Sequence, residues 1–313
     1  MVGACHLFVF VFCDLEFHSG AGRNGEGGWT VNARERGNRF VMPAIILFCL
    51  VTVYPVFSVL SLSLHRRLPI FDISKFTGLD NYRFLLSDDR FWNAFRNTAY
   101  FTALSVTFEL LLGLCIAVLL NRPFRSKGIV TALVLVPWAV PTVVSARMWE
   151  WIYNTDFGIL NYLLGIKINW LGSPFWAMNA AVFMDVWKTT PFVVILLLAG
   201  LKVIPRDLYH AARIDGAGPW PIFTKITLPL LMPVIIVVLI FRTLDAFRIF
   251  DALYVLTGGG PANTTETLSI YAYKVLFQTL QFGYGSALSV IVFLCTGAIT
   301  VAYIRLLRAE AQS

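Results

Sequence analysis

Apolar residues are grouped along this chain into six long stretches, each separated from the next by a shorter polar segment. A helix needs about 20 apolar residues to cross the hydrocarbon core of a bilayer. All six stretches reach that length, which predicts six transmembrane helices, at residues 40–61, 98–120, 129–149, 177–201, 230–250 and 287–307. The predicted fold class is therefore an all-α integral membrane protein.

The composition supports this prediction and excludes a soluble domain. Only 14% of the 313 residues are charged and 58% are hydrophobic, whereas soluble domains carry about 25% charged residues. The net charge of +7 raises the alternative of nucleic-acid binding. The basic residues, however, are scattered through the short segments between the apolar stretches, as membrane topology requires. Nucleic acid is therefore excluded as a partner.

The distribution of Lys and Arg predicts the orientation, because loops on the cytoplasmic side carry an excess of both. Thirteen lie in the N-terminal tail, in residues 121–128, in residues 202–229 and at the C-terminus, against eight in the alternate loops. We therefore predict that both termini are cytoplasmic. Residues 1–39 are interpreted as a flexible basic N-terminal tail, 40–307 as the six-span membrane domain and 308–313 as a C-terminal tail.

The chain carries no pattern typical of an enzyme. Its five cysteines lack CxxC spacing and its four histidines are far apart in sequence, so neither predicts a metal site. The glycine-rich segment 257–265 lacks the Gly-Lys-Ser/Thr ending of a nucleotide-binding loop. We predict no catalytic residue, no metal and no cofactor in this chain.

The segment at 205–229 is polar, but its prolines, glycines and charges are placed as at the ends of helices. Pro205 suits an early helical position, and Asp207 favours the positive end of a helix dipole. The helix is predicted to run to about Ile214. Asp215 and Gly216 supply the stop, because glycine adopts the left-handed conformation that ends helices.

A second short helix is predicted from Pro219 to Leu228, with Pro229 and Pro233 marking entry into the fifth span. The two helices would form a compact helix-turn-helix at the cytoplasmic face. On composition alone, the segment could also be an ordinary polar loop that folds into short helices. Composition does not explain the spacing of its residues.

That spacing resembles the permease subunits of binding-protein-dependent ABC importers. Those subunits carry Glu-Ala-Ala, three residues, Gly, nine residues and Ile-x-Leu-Pro in this loop. The present chain has His210 where the family has Glu. The resemblance implies that the loop docks on an ATPase through His210, Ala211, Ala212, Asp215, Gly216, Ile226, Leu228 and Pro229.

Other segments resemble the sugar-importing branch of this family, which includes permeases for maltose, trehalose and glycerol-3-phosphate. The resemblance extends over about residues 40–307 and implies a type I ABC importer permease fold with a cytoplasmic coupling-helix loop. It also implies a carbohydrate as solute and a bacterial cell membrane as location. The segments are GLDNYRFLL, FWNAFRNTAYF, VPWAVPTVVSARMWEWIYNTDFGILNYLL, VWKTTPF, AFRIFDALYVLTGGGPANTTETL and GYGSALSV.

The resemblance further implies an assembly in which this chain forms half of the transmembrane path. Its partners would be a second permease subunit, two copies of an ATPase that bind ATP and Mg, and an extracytoplasmic sugar-binding protein. The chain itself would be non-catalytic. An ion-gradient-driven secondary transporter acting alone is the alternative, which the charges inside the spans motivate, although the sequence shows none of the internal repeats common in such carriers.

Ionisable residues inside the predicted spans are the remaining candidates for function. Each costs about 2.5–3.5 kcal/mol at a helix centre, so these side chains should face protein or water. Spacings of three residues favour pairs on one helix face, as for 185 with 188 and 242 with 245. Two interpretations stay open: ion pairs that fix helix packing, or a solute path that binds sugar hydroxyls. The candidate path residues are Asp185, Trp187, Lys188, Arg242 and Asp245, while Glu109 has no assigned role.

Overall fold

The computed structural model describes residues 41–310, with side chains described as far as Leu307. The predicted tail at 1–39 and the last three residues of the chain lie outside the described residues. The chain divides into two compact units, Met1–Pro55 and Val56–Ser313. The first contributes the described residues 41–55, which belong to the first helix, and the second contains the rest of that helix and every other element.

The described residues are almost entirely helical. π-helical turns interrupt three helical segments, at Cys49–Val53, Phe223–Thr227 and Lys274–Gln278. In chain order the elements are α1 (Val41–Ser63), β1 (His65–Leu68), β2 (Ile73–Phe76), α2 (Asp80–Ser87), α3 (Asp89–Asn121), α4 (Lys127–Ala139), α5 (Thr142–Ile152), α6 (Ile159–Leu164), α7 (Pro174–Val203), α8 (Arg206–Ile214), α9 (Pro219–Phe247), α10 (Asp251–Thr257), α11 (Leu268–Tyr273) and α12 (Phe282–Glu310).

Five of these helices, α1, α3, α7, α9 and α12, are each long and apolar enough to cross a membrane. The third predicted span is different, because α4 and α5 meet at an angle of 94°. Pro141 has no backbone N–H and restricts the preceding residue to extended conformations, and Val140 has ψ 132°. The prediction of one continuous helix over 129–149 is therefore wrong, because two helices meet there at a sharp bend.

Helix α9 corrects a second boundary. The short helix predicted at Pro219–Leu228 and the fifth span form one continuous helix from Pro219 to Phe247. The π-helical turn Phe223–Thr227 ends two residues before Pro229. Such a wider turn accommodates a local change in the hydrogen-bond ladder without ending the helix. Pro229 and Pro233, which were predicted to mark entry into the fifth span, therefore lie within a continuing helix.

Helix α7 is the central span. Of its apolar stretch, 72% is buried inside the protein, against 33% or less in the other four spans. Small residues allow its neighbours to approach closely. A Cβ added to Gly113 on α3 would lie 2.5 Å from Cγ1 of Val193, and one added to Gly200 would lie 2.8 Å from side-chain atoms of Leu231 and Val234 on α9. Helices α3 and α9 therefore both pack tightly against α7.

The antiparallel hairpin of β1 and β2 was not predicted. His65 pairs with Phe76 and Leu68 with Ile73. The side-chain amide of Asn81 donates to the carbonyl oxygens of Ser63 and His65, at 2.8 and 3.0 Å. The hairpin therefore begins one residue after α1 and is fastened to α2.

Replacing Gly283 by Ala is expected to push β1 away from α12. The added Cβ would lie 2.0 Å from the carbonyl oxygen of His65, so the backbone must shift. Overpacking of this kind typically costs about 1–3 kcal/mol, measured as the free energy of unfolding in detergent. Gly297 on the same helix has nothing within 4 Å of an added Cβ, so Gly297→Ala should be neutral or stabilising. Equal destabilisation by both variants would contradict the contact.

Candidate functional site

Helix α8 ends in a tight glycine turn. Gly216 has φ +78°, a conformation that L side chains rarely adopt. The N–H of Gly216 donates to the carbonyl of Arg213 at 3.1 Å, and that of Ala217 to the carbonyl of Ala212 at 2.9 Å. The helix end predicted at about Ile214 is confirmed.

Most of the predicted coupling residues lie at the surface of this turn. His210, Ala211, Asp215, Gly216 and Pro229 are exposed, whereas Ala212, Ile226 and Leu228 are half-buried. The hydroxyls of Tyr209 and Thr227 lie 3.3 Å apart. Helix α8 is thereby linked to the first turns of α9.

Three large apolar side chains project from the same region, and sequence reasoning missed them. Val203 is 81% exposed, Ile214 85% and Trp220 71%. Isolated apolar residues in a polar segment were the available signal. Together with the glycine turn they form a surface of residues 203–220, which we call the coupling surface after the role predicted for this loop. Exposed apolar residues grouped in this way are typical of a contact with another protein.

The ionisable residues of the spans meet at Arg242 of α9. Its Nε and Nη2 donate to the two carboxylate oxygens of Glu109 at 2.5 and 2.8 Å. Nη2 also lies 3.3 Å from Oδ2 of Asp185, and Nη1 lies 2.6 Å from Oδ2 of Asp245. The hydroxyl of Thr189 donates to Glu109 at 2.6 Å. This ionic network joins α3, α7 and α9 at one point.

Burial differs sharply among the predicted path residues. Asp185, Lys188 and Arg242 are buried, and Trp187 is half-buried against Trp149. The side chain of Asp245, in contrast, is 69% exposed. The network therefore has an interior part around Glu109 and an accessible end at Asp245.

One predicted ion pair forms and the other does not. Arg242 and Asp245 pair as their spacing predicted. The predicted pair of Asp185 with Lys188 is wrong: the ammonium of Lys188 donates to the carbonyl of Val140 at 2.6 Å, and Asp185 contacts Arg242 instead. Val140 caps the C-terminal end of α4 at the bend, so no N–H of a following helical turn bonds to its carbonyl. That carbonyl can therefore accept the hydrogen bond from Lys188.

The exposed face of α9 is a stripe that ends at Asp245. Pro233, Val237, Phe241 and Asp245 follow one another at intervals of four residues, and all are exposed. Residues four apart lie on one face of a helix. A carboxylate within a membrane span faces water or protein rather than lipid, which sets the Asp245 end of this stripe apart from an ordinary lipid-facing surface.

A second ionic group lies in the loop between α10 and α11. Glu266, fully buried, accepts from Nε and Nη2 of Arg90 at 2.7 and 2.8 Å and from Nζ of Lys274 at 2.9 Å. Burial opposes ionisation of Glu266, but these hydrogen bonds outweigh it and hold the pKa of the carboxyl below its ordinary value. We call this group the Glu266 clamp.

Neighbouring contacts extend the clamp. Tyr271 and Tyr284 donate to Oδ2 of Asp88 at 2.5 and 2.7 Å. Partial burial raises the pKa of Asp88, but these bonds, together with the backbone N–H and the charge of Arg90, lower it below its ordinary value. Asn93 and Asn97 both donate to the carbonyl of Asn263. The start of α3 thus holds the loop between α10 and α11 in place.

Within residues 41–310 no group of three or more His, Cys, Asp and Glu side chains is arranged to hold a metal ion. The arrangements that do occur are a surface turn with exposed apolar residues, a buried ionic network and the Glu266 clamp. They are suited to protein contact and to fixing helix positions.

Comparison with known proteins places these features in a family. The family model described as "Binding-protein-dependent transport system inner membrane component" matches residues 109–310. The trehalose/maltose transport system permease protein of Thermococcus litoralis is 44% identical over 86% of this chain and 92% of its own length. A trehalose transport system permease protein of Mycobacterium tuberculosis is 43% identical over 87% and 88%.

The fold is found in a solved structure as well. A bacterial ABC transporter involved in the import of the polysaccharide alginate contains a chain with a TM-score of 0.80 and 22% identity, covering 89% of this chain and 97% of the other. At that identity the likeness shows the fold. The chain belongs to the family of inner membrane components of binding-protein-dependent transport systems, and it has the predicted fold of a type I ABC importer permease.

Proposed function

We propose that this chain is the translocation subunit of an ATP-driven importer for a carbohydrate, and that it docks an ATPase through residues 205–229. The observation that carries the proposal is the coupling surface, where a left-handed glycine turn stands between Ile214 and Trp220. Both side chains are largely exposed and have room to enter a groove on another protein.

The proposed motion follows from the continuity of α9. This helix begins inside the coupling loop at Pro219 and carries Arg242 and Asp245 near its other end. A helix rises about 1.5 Å per residue, so the two ends are roughly 40 Å apart. Closure of the ATPases would displace the start of α9, and the rigid helix would carry that displacement to the ionic network.

The carbohydrate is proposed from two observations. Two relatives more than 40% identical over most of this chain are permeases of trehalose/maltose and trehalose transport systems. In addition, the carboxylate of Asp245 would accept hydrogen bonds from sugar hydroxyls, and the ring of the half-buried Trp187 would stack on the apolar face of a sugar ring. We propose that Asp185, Trp187, Lys188, Arg242 and Asp245 line or shape this chain's half of the path.

The proposed assembly contains a second permease, two ATPase subunits that bind ATP and Mg, and an extracytoplasmic binding protein. A solved alginate transporter was captured with a pentasaccharide-bound periplasmic protein, which supports a partner of that kind. Both termini would lie in the cytoplasm. The alternative, a carrier driven by an ion gradient, requires none of these partners.

Gly216→Val is expected to lower ATP-dependent uptake by the reconstituted complex at least about tenfold while membrane insertion is unchanged. Valine strains the left-handed turn by about 1–2 kcal/mol, and its side chain would enter the docking surface. An added Cβ at Gly216 meets nothing within 4 Å in the chain itself. A loss of coupling would therefore arise in the contact with the ATPase.

Gly165 provides the matched control. It has φ +65° and likewise nothing within 4 Å of an added Cβ, but it ends α6, in the loop that precedes α7. Gly165→Val should therefore leave ATPase binding and the ratio of ATP hydrolysed to solute imported unchanged. Normal coupling in Gly216→Val would count against the docking role. Uptake by this chain alone under a proton or sodium gradient would overturn the ABC mechanism.

A further inference from the structure

An open cleft of about 530 Å³ lies between the hairpin, α2 and the start of α12. Arg66, Arg67, Gln281 and the rings of Phe71 and Phe84 contribute to its lining. The transport mechanism proposed above uses none of these residues. The cleft is separate from both the coupling surface and the ionic network.

The cleft contains two guanidinium groups without partners. Arg66 and Arg67 are exposed, and their guanidinium groups make no hydrogen bond or ion pair with another described residue. Asp80 also lines the cleft, but its nearest cation is Arg83 at 3.7 Å. Lys75 pairs with Arg66 across the hairpin backbone. The hairpin therefore presents two guanidinium groups that pair with no described carboxylate.

The rim of the cleft is apolar. Ile70 and Phe71 at the hairpin tip are 65% and 69% exposed, and Phe84 is 62% exposed. The hairpin begins one residue after α1 ends at Ser63, so it lies where that span leaves the bilayer. In water these side chains would remain exposed, whereas the interface would bury them among acyl chains and place the arginines near the phosphates.

We propose that this cleft binds the headgroup phosphate of an anionic phospholipid. The guanidinium groups match phosphate through charge and paired N–H donors. The apolar rim matches the adjoining glycerol and acyl chains. An acidic patch on a soluble protein would satisfy the arginines but would leave the apolar rim unexplained, so the lipid is the favoured occupant.

The test uses the complete, detergent-solubilised complex and phosphatidylglycerol as the probe. The rise in Tm on titration with phosphatidylglycerol gives an apparent affinity. The double variant Arg66→Gln/Arg67→Gln should weaken that affinity at least about 30-fold, because it removes the charge-assisted hydrogen bonds of both guanidinium groups to the phosphate. Arg66→Lys/Arg67→Lys keeps the charge and should remain within about fivefold of wild type.

Lys167→Gln is the matched control, because Lys167 is also exposed but lies outside the cleft; it should bind phosphatidylglycerol like wild type. Phosphatidylcholine and inorganic phosphate should each give a much smaller rise in Tm. Unchanged phosphatidylglycerol affinity in the double Gln variant would overturn the proposal. So would equal stabilisation by inorganic phosphate alone, or an effect confined to stimulation of the ATPase by the binding protein.

Discussion

Replacing Arg242 by Ala is expected to lower the free energy of unfolding by about 3–5 kcal/mol, the usual cost of removing one partner from a buried ionic group. Glu109 would lose both guanidinium contacts and Asp185 its one contact with Arg242, in a region where neither side chain reaches water. Denaturant unfolding in detergent measures the loss. Arg242→Lys should recover only part of it, because an ammonium cannot bridge the same oxygens in a planar fork.

Asp245→Asn provides the contrast. The side chain of Asp245 is 69% exposed, and its ion pair is with Nη1 of Arg242. The substitution should therefore lower the free energy of unfolding by less than about 1 kcal/mol. If Asp245 lies on the solute path, uptake affinity or rate will change while the complex stays intact. If the network serves packing alone, uptake will follow stability in both variants.

Removing the remaining buried charges tests whether charge or packing causes the loss of stability in Arg242→Ala. Glu109→Gln/Asp185→Asn in the Arg242→Ala background removes the two acids that the single variant leaves unpaired. It should therefore recover part of the lost stability, since those charges cause most of the cost. No recovery would indicate that packing of the Arg242 side chain, rather than charge, holds α3, α7 and α9 together.

Glu266→Gln is expected to cost about 2–3 kcal/mol and to loosen the loop between α10 and α11. The substitution keeps the shape of Glu266 but removes the charge that accepts three hydrogen bonds from Arg90 and Lys274. Hydrogen bonds to charged groups contribute about 1.5–3 kcal/mol. Asp80→Asn is the control, because its pair with Arg83 is largely exposed and long and should contribute little.

The pH dependence of the same clamp has a definite sign. Because the folded pKa of Glu266 lies below the ordinary 4.5, the folded state favours the ionised carboxylate. Its stabilisation is complete above the ordinary pKa and is lost as the pH falls through the lower folded value. The stability difference between wild type and Glu266→Gln should thus be constant near neutral pH and shrink below about pH 4. A difference that grows on acidification would contradict the clamp.

The sequence predicted the spans well where hydrophobicity alone decides them, as in α3, α7 and α12. The predicted helix bounds were wrong where the effect of a proline depends on the structure around it. Pro141 breaks a span whose composition is uniform, whereas Pro229 sits in a helix that continues through a π-helical turn. A proline changes the hydrogen-bond ladder in both places, and the neighbouring structure decides whether the helix survives.

The ionic groups were predictable only in part. Arg242 and Asp245 are three residues apart, so one helix was enough to pair them. Glu109 stands on a different helix from its partner, and Arg90 and Glu266 are far apart in sequence, so neither contact leaves a local pattern. The charge of Glu109 within an apolar span did signal a buried partner, but only the packing of α3 against α9 identifies it.

The separation of Glu109 from Arg242 also affects biosynthesis. The two residues are 133 positions apart, and translation at about 5–20 residues per second separates their synthesis by roughly 7–27 s. During that interval the nascent chain carries an acid in α3 without the guanidinium that neutralises it. A product truncated before residue 242 would keep that acid uncompensated, so α3 would gain its ion pair only once the fifth span is complete.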